Sequence, residues 1–152
     1  MADTPSAPFR RAVVALNGGS SDARIVELVA SQAAKTKAEV IAVHVVEIDW
    51  TLPLDADIAG RSEEVQRVLD VAEGIAEDHK LQLDPVLLQA RDVGAAIVDE
   101  ATERDADLLV VGLPYRKRFG GEFAIGRTIP YILQNAPCAV WVVREPMPEE
   151  AW

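Results

Sequence analysis

Five short strand-like runs lie at 11–16, 39–46, 84–89, 108–111 and 139–143, most of them apolar and valine-containing, and each is separated from the next by a stretch long enough to hold a helix. That alternation constrains the fold more than any other feature. A run that is apolar on both faces, as over 11–16 once past Arg11, suits a strand covered by helices on each side rather than one with a wet side. Strands joined through helix-length crossovers run parallel, and the crossovers share one hand. The expected architecture is α/β: a doubly wound, mainly parallel five-stranded sheet with helices on both faces.

The intervening segments carry helical patterns. Ile25, Leu28, Val29 and Ala33 form an inward face for the first helix, with Ser20, Ser21 and Asp22 as cap candidates. The second is expected over 62–80, with Glu63 and Glu64 in its first turn and Val65, Val68, Leu69, Ala72, Ile75 and Ala76 on one side. Asp92 caps a third, with Val93, Ala96, Ile97 and Ala101 inward. The fourth opens near Gly126-Arg127-Thr128, with Ile125, Ile129, Ile132, Leu133 and Ala136 on one side. Pro130 must sit in its first turn, and the restriction a proline imposes on Ile129 pushes the start beyond Gly126. Residues 47–60 show no period and read as a long loop on the same strand edge as the glycine loops. Pro85 suits a sheet-edge position for the third strand. One domain over 10–145 is expected, with a disordered leader at 1–9 and an acidic tail at 146–152.

Composition narrows the function classes. A net charge of −10 argues against generic nucleic-acid binding and against an anionic membrane surface. No stretch approaches the roughly 18 consecutive apolar residues of a membrane span, and the first residues lack the pattern of a signal peptide. A cytoplasmic location is the expectation. Cys138 is the single cysteine, so no internal disulfide and no Cys/His zinc cluster can form, and it reads as a small buried residue. There is no Gly-x4-Gly-Lys-[Ser/Thr] loop and no suggestion of a Ser/His/Asp set, and neither histidine falls in a glycine loop. No catalytic residue is assigned; slow ATP hydrolysis is the most the sequence allows.

The functional signal lies in the last third. The run over 108–111 stops at Gly112, and a basic, glycine-containing loop with Arg116, Lys117 and Arg118 follows. A helix then opens at Gly126-Arg127-Thr128. Strand, glycine loop and helix start make an anion site, because free N–H groups and the positive end of the helix dipole favour a phosphate. Ala136-Pro137-Cys138 then leads into the fifth strand.

This stretch resembles the C-terminal end of the universal stress protein family, which reads Gly-x2-Gly-x9-Gly-[Ser/Thr], a helix, then Ala-Pro-Cys and a valine-rich strand. Gly112 matches the first glycine and Gly126 the last. Tyr115 stands at the second glycine, Arg127 replaces the Ser/Thr with Thr128 directly after it, and the loop is one residue longer than the pattern. The resemblance covers nearly all of 10–144 and implies strand order 3-2-1-4-5. The switch point then falls between the first and fourth strands, where ligands bind in such sheets. There Ala15, Leu16, Asn17, Gly18 and Gly19 would share one crevice with the loop from Gly112 to Thr128. Asn17 takes the place of the family's aspartate, and Gly19 stands where a serine usually follows. Val45 matches the position whose main chain contacts adenine, and His44 matches a core slot rather than a base.

The resemblance implies a regulatory stress-response domain that binds ATP or another adenine nucleotide, cyclic ones included, and signals to a partner. Magnesium would enter only with ATP. With two small residues lost, arginine forks from Arg116, Arg118 and Arg127 would replace backbone amides on the phosphate. The alternative is a nucleotide-free dimerisation or interaction module, acting on a transporter or another regulatory protein, since some branches of the family lack the motif. A homodimer is expected through the fifth strand, Ala139, Val140, Trp141, Val142 and Val143, an apolar edge open to pairing.

Overall fold

The computed structural model describes residues 8–53, 62–116 and 125–148. The elements alternate as β1 (Arg11–Leu16), α1 (Ser21–Thr36), β2 (Glu39–Glu47), α2 (Ser62–Asp78), β3 (Leu83–Ala90), α3 (Val93–Glu103), β4 (Leu108–Leu113), α4 (Thr128–Asn135) and β5 (Ala139–Arg144). The five strands form one sheet in the order β3-β2-β1-β4-β5, and every neighbouring pair is parallel. The α/β architecture and strand order are those expected from the alternation and the family resemblance.

Side-chain alternation divides the core between the two faces. Val14, Leu16 and Val110 pack under Ile25, Val29, Leu69 and Ala76 of α1 and α2. Val13, Val43 and Val111 pack under Ile97, Ala101, Ile129 and Ile132 of α3 and α4. The central strands are thus sealed on both sides, and among the described residues the sheet has its edges at β3 and β5. Pro85 lies in edge strand β3, opposite Ala42, where its missing N–H costs no ladder bond on the open side. Pro130 is the third residue of α4, in the first turn as its ring requires.

Several sequence expectations are corrected. Leu28 is 37% exposed, while Val26 and Ala30 are buried with Ile25, Val29 and Ala33, so the inward face of α1 is rotated from the one read off the sequence. On the fourth helix Leu133 is 56% and the preceding Ile125 41% exposed, leaving Ile129 and Ile132 as its buried anchors. The second helix ends at Asp78, two residues early, and Lys80 adopts the left-handed conformation with φ 57°. Strand β4 does not stop at Gly112 but runs through it to Leu113.

Phe9, placed by the sequence in a disordered leader, is 2% exposed and meets Trp141 edge to face, with ring centroids 5.9 Å apart. The N–H groups of Arg10 and Arg11 donate to the Asp107 carboxylate, so the segment just before β1 is tied to the domain. Trp141 is accordingly half-buried within one subunit, although β5 itself stays at the sheet edge. Cys138 is half-buried, and burial raises its thiol pKa. Residues 1–7, the second half of the loop at 47–60, Lys117, Arg118 and the end of the acidic tail lie outside the described residues.

Candidate functional site

The β1–α1 connection is a tight turn closed from within. Asp22 is buried, and its carboxylate accepts the N–H groups of Asn17 at 3.1 Å and Gly18 at 2.8 Å. Burial pushes the Asp22 pKa up, and the two N–H donors and the nearby His44 act against that rise. Asn17 Oδ1 accepts the Gly19 N–H at 2.7 Å. Gly18 turns at φ +80°, which favours glycine, and a Cβ on Gly19 would come within 2.9 Å of Asn17 Oδ1. The sequence offered Ser20, Ser21 or Asp22 as caps for α1, but no side chain caps it. Both serine hydroxyls instead donate to Glu145 Oε1, at 2.5 and 2.7 Å.

Gly112 has a reason of its own to be glycine. A Cβ there would lie 2.5 Å from Ser21 Cβ, so its absence lets the start of α1 close onto β4. Gly126 turns at φ +73° just before α4 begins at Thr128, and Tyr131 N–H donates to the Arg127 carbonyl at 3.2 Å. The helix therefore opens two residues after the last motif glycine, the delay that Pro130 requires.

These two connections enclose a cavity of about 230 Å³ at the carboxyl ends of β1 and β4, on the side covered by α3 and α4. Ala15, Leu16, Asn17, Gly112, Arg116, Gly126, Arg127 and Thr128 all line it. Gly18 and Val45 line a second hollow of about 390 Å³ toward α2, together with His44, Glu47 and Glu64. Asn17 belongs to both hollows. Tyr115 and Gly19 line neither: the Arg144 guanidinium lies over the Tyr115 ring, 5.1 Å from its centroid. His44 Nδ1 donates to the Leu16 carbonyl at 3.1 Å and ties β2 to β1, in keeping with a structural slot. A larger hollow of about 840 Å³ lies at the opposite, amino end of the strands. Its Arg11 and Arg104 are already paired with Glu39 at 2.9 Å and Asp84 at 2.7 Å.

Sequence reading missed two residues that shape the crevice. Asp22 was read as a helix cap, and Glu145, 125 residues from Ser20, carried no local signal. Among the described residues no group of three or more His, Cys, Asp or Glu is placed to hold a metal ion, and no helix is long and apolar enough to cross a membrane.

The model of the universal stress protein family matches residues 8–144. The chain belongs to that family. Over 141 residues it is 30% identical to the sensor protein KdpD of Mycobacterium tuberculosis, a match covering 93% of this chain and 15% of that protein. The universal stress protein fold is shared with solved structures at lower identity. One is a universal stress protein in complex with cAMP, 21% identical with a TM-score of 0.67, covering 90% of this chain and 97% of that one. Another is the Archaeoglobus fulgidus universal stress protein in complex with dAMP, 21% identical with a TM-score of 0.68, covering 89% and 98%.

Proposed function

We propose that this universal stress protein domain is a cytoplasmic regulatory module that binds an adenine nucleotide in the crevice between the β1–α1 and β4–α4 connections and passes its occupancy to a protein partner. The convergence of Asn17, Gly112, Arg116, Gly126, Arg127 and Thr128 on one cavity at the topological switch point carries this reading. The cavity of 230 Å³ is smaller than the roughly 300 Å³ or more of usual small-molecule sites. It meets the second hollow at Asn17, however, and a nucleoside phosphate would span both. The phosphate faces Arg116, Arg127 and the N-terminus of α4, the base lies toward the main chain of Val45, and Arg118 adds charge to the same connection. Relatives of this fold are described with cAMP and dAMP bound, which supports an adenine ligand. ATP is a candidate too and would bring its own magnesium.

Isothermal titration with ATP, AMP, cyclic AMP and cyclic di-AMP tests the site. We expect micromolar binding of at least one, weakened roughly tenfold or more by Arg127→Ala, which removes a charged phosphate donor, and by Gly126→Asp. No heat with any of them would sink the nucleotide reading.

A second reading is favoured by the internal engagement of the β1–α1 turn, where Asn17 Oδ1 and both serine hydroxyls already have partners. In that case the domain is a nucleotide-free interaction module, acting on a transporter or a sensor, as its similarity to a segment of KdpD suggests. In either reading β5, with Ala139, Val140, Trp141, Val142 and Val143 at the sheet edge, pairs with a second copy to form a homodimer.

A further inference from the structure

Helices α1 and α2 end in the same way at the amino pole of the sheet. The Ala38 N–H closes α1 onto the Ala33 carbonyl at 3.3 Å, and the Leu81 N–H closes α2 onto the Ala76 carbonyl at 2.9 Å. In each closure the residue just before the donor is left-handed, Lys37 at φ 59° and Lys80 at φ 57°. Glycine takes that conformation freely and a side chain strains it, yet both positions carry lysine. A positive charge that only answered the helix dipole could sit elsewhere in the last turn, as Lys35 does on α1.

Both lysines are exposed, and both line the hollow of about 840 Å³ at the amino ends of the strands. Most other charges there are engaged: Arg11 holds Glu39 and feels Asp105 and Asp107, while Arg104 holds Asp84 and Glu100. Among the described residues Lys37 and Lys80 make no ion pair, and Glu103 is the one lining carboxylate outside the pairs just named. The lining therefore carries an excess of cations in a molecule whose net charge is −10. Ala34, Leu81 and Pro85 add an apolar, partly exposed portion.

We propose that this hollow docks an acidic segment of a partner protein, with Lys37 and Lys80 as the pair that takes its carboxylates. Helices α1, α2 and α3 all end here and present the negative ends of their dipoles. A peptide brings N–H donors for helix-end carbonyls together with its carboxylates, and its apolar side chains suit Ala34, Leu81 and Pro85. A phosphate brings charge alone, and no helix N-terminus meets it. The site does not depend on the crevice, which lies at the opposite pole, and it holds under either reading given above.

The probe is a capped, fluorescein-labelled peptide alternating glutamate and leucine, titrated with the full chain and read by fluorescence anisotropy. A glutamine–leucine counterpart and tripolyphosphate serve as controls. We expect saturable binding of the acidic peptide alone, weaker in high salt. Lys37→Gln combined with Lys80→Gln should weaken it roughly tenfold, the size of two exposed charge pairs. Lys35→Gln removes the same charge outside the hollow and should leave binding unchanged. Lys37→Gly combined with Lys80→Gly should lose binding while the urea midpoint rises, because glycine relieves the left-handed strain. Equal loss in Lys35→Gln, or no loss in the double glutamine variant, would overturn the lysine pair. Displacement of the peptide by tripolyphosphate would reassign the hollow to phosphates, and binding of the glutamine peptide, or of neither peptide, would remove the acidic partner. None of these outcomes touches the nucleotide titrations, so the two sites stand or fall separately.

Discussion

Gly112 shows how closely a single residue ties packing to the crevice. It lines the cavity with Arg116 and Gly126, yet the space its Cβ would need is held by Ser21, 2.5 Å away. Gly112→Ala forces helix α1 off the sheet or the strand out of register, and we expect a loss of about 1–3 kcal/mol in urea denaturation, the usual cost of overpacking. Asp22 and Glu145 give the same turn opposite responses to pH. The Glu145 pKa is depressed in the fold, so its stabilisation is present above its ordinary value of 4.5 and is lost as pH falls through the folded value. The Asp22 pKa is raised, so its contribution is full below 3.8 and is lost as pH rises through the folded value. Urea denaturation at successive pH values should show the stability deficit of Glu145→Gln shrinking as pH drops below 4.5; a pH-independent deficit would mean that charge plays no part in the serine tie.

At the level of elements, the pairing of Phe9 with Trp141 joins the segment before β1 to the edge strand β5 and covers one side of that strand. Phe9→Ala should cost about 3–5 kcal/mol, as large core truncations do, and should expose Trp141, measurable as a red shift in tryptophan emission; an unchanged midpoint would mean that the edge holds without its cover. The strands were legible because both faces of β1, β2 and β4 are buried, which demands consecutive apolar residues, as at 12–16, 40–43 and 108–111. The helical faces were less so. Leu28 fits the apolar spacing from Ile25, but at that register it projects outward while Val26 takes the buried place. Phe9 was hidden because its partner Trp141 lies at the far end of the sequence. The crevice was half legible: glycines at turns announce themselves through composition, whereas the serine–glutamate tie joins residues 125 apart and no local pattern encodes it. Tyr115 read as a defect in a phosphate loop, but its ring packs under Arg144.

On the scale of the whole molecule, the sheet has two edges, and β5 is the more apolar one. Analytical ultracentrifugation at micromolar concentration should find a dimer, and a monomer there would count against pairing through β5. All five strands point the same way, which also sets where neighbouring sequence is delivered. The chain enters at the amino ends, where Arg10 and Arg11 reach Asp107, and departs past Arg144 at the carboxyl ends, next to the crevice. A fluorescent reporter fused upstream of residue 8 would therefore ride on the pole remote from a ligand in the crevice, and one fused beyond residue 148 would ride beside it. Of two such chimeras, the downstream one should brighten or dim on ligand addition, which makes that junction the natural point for building a sensor from this domain.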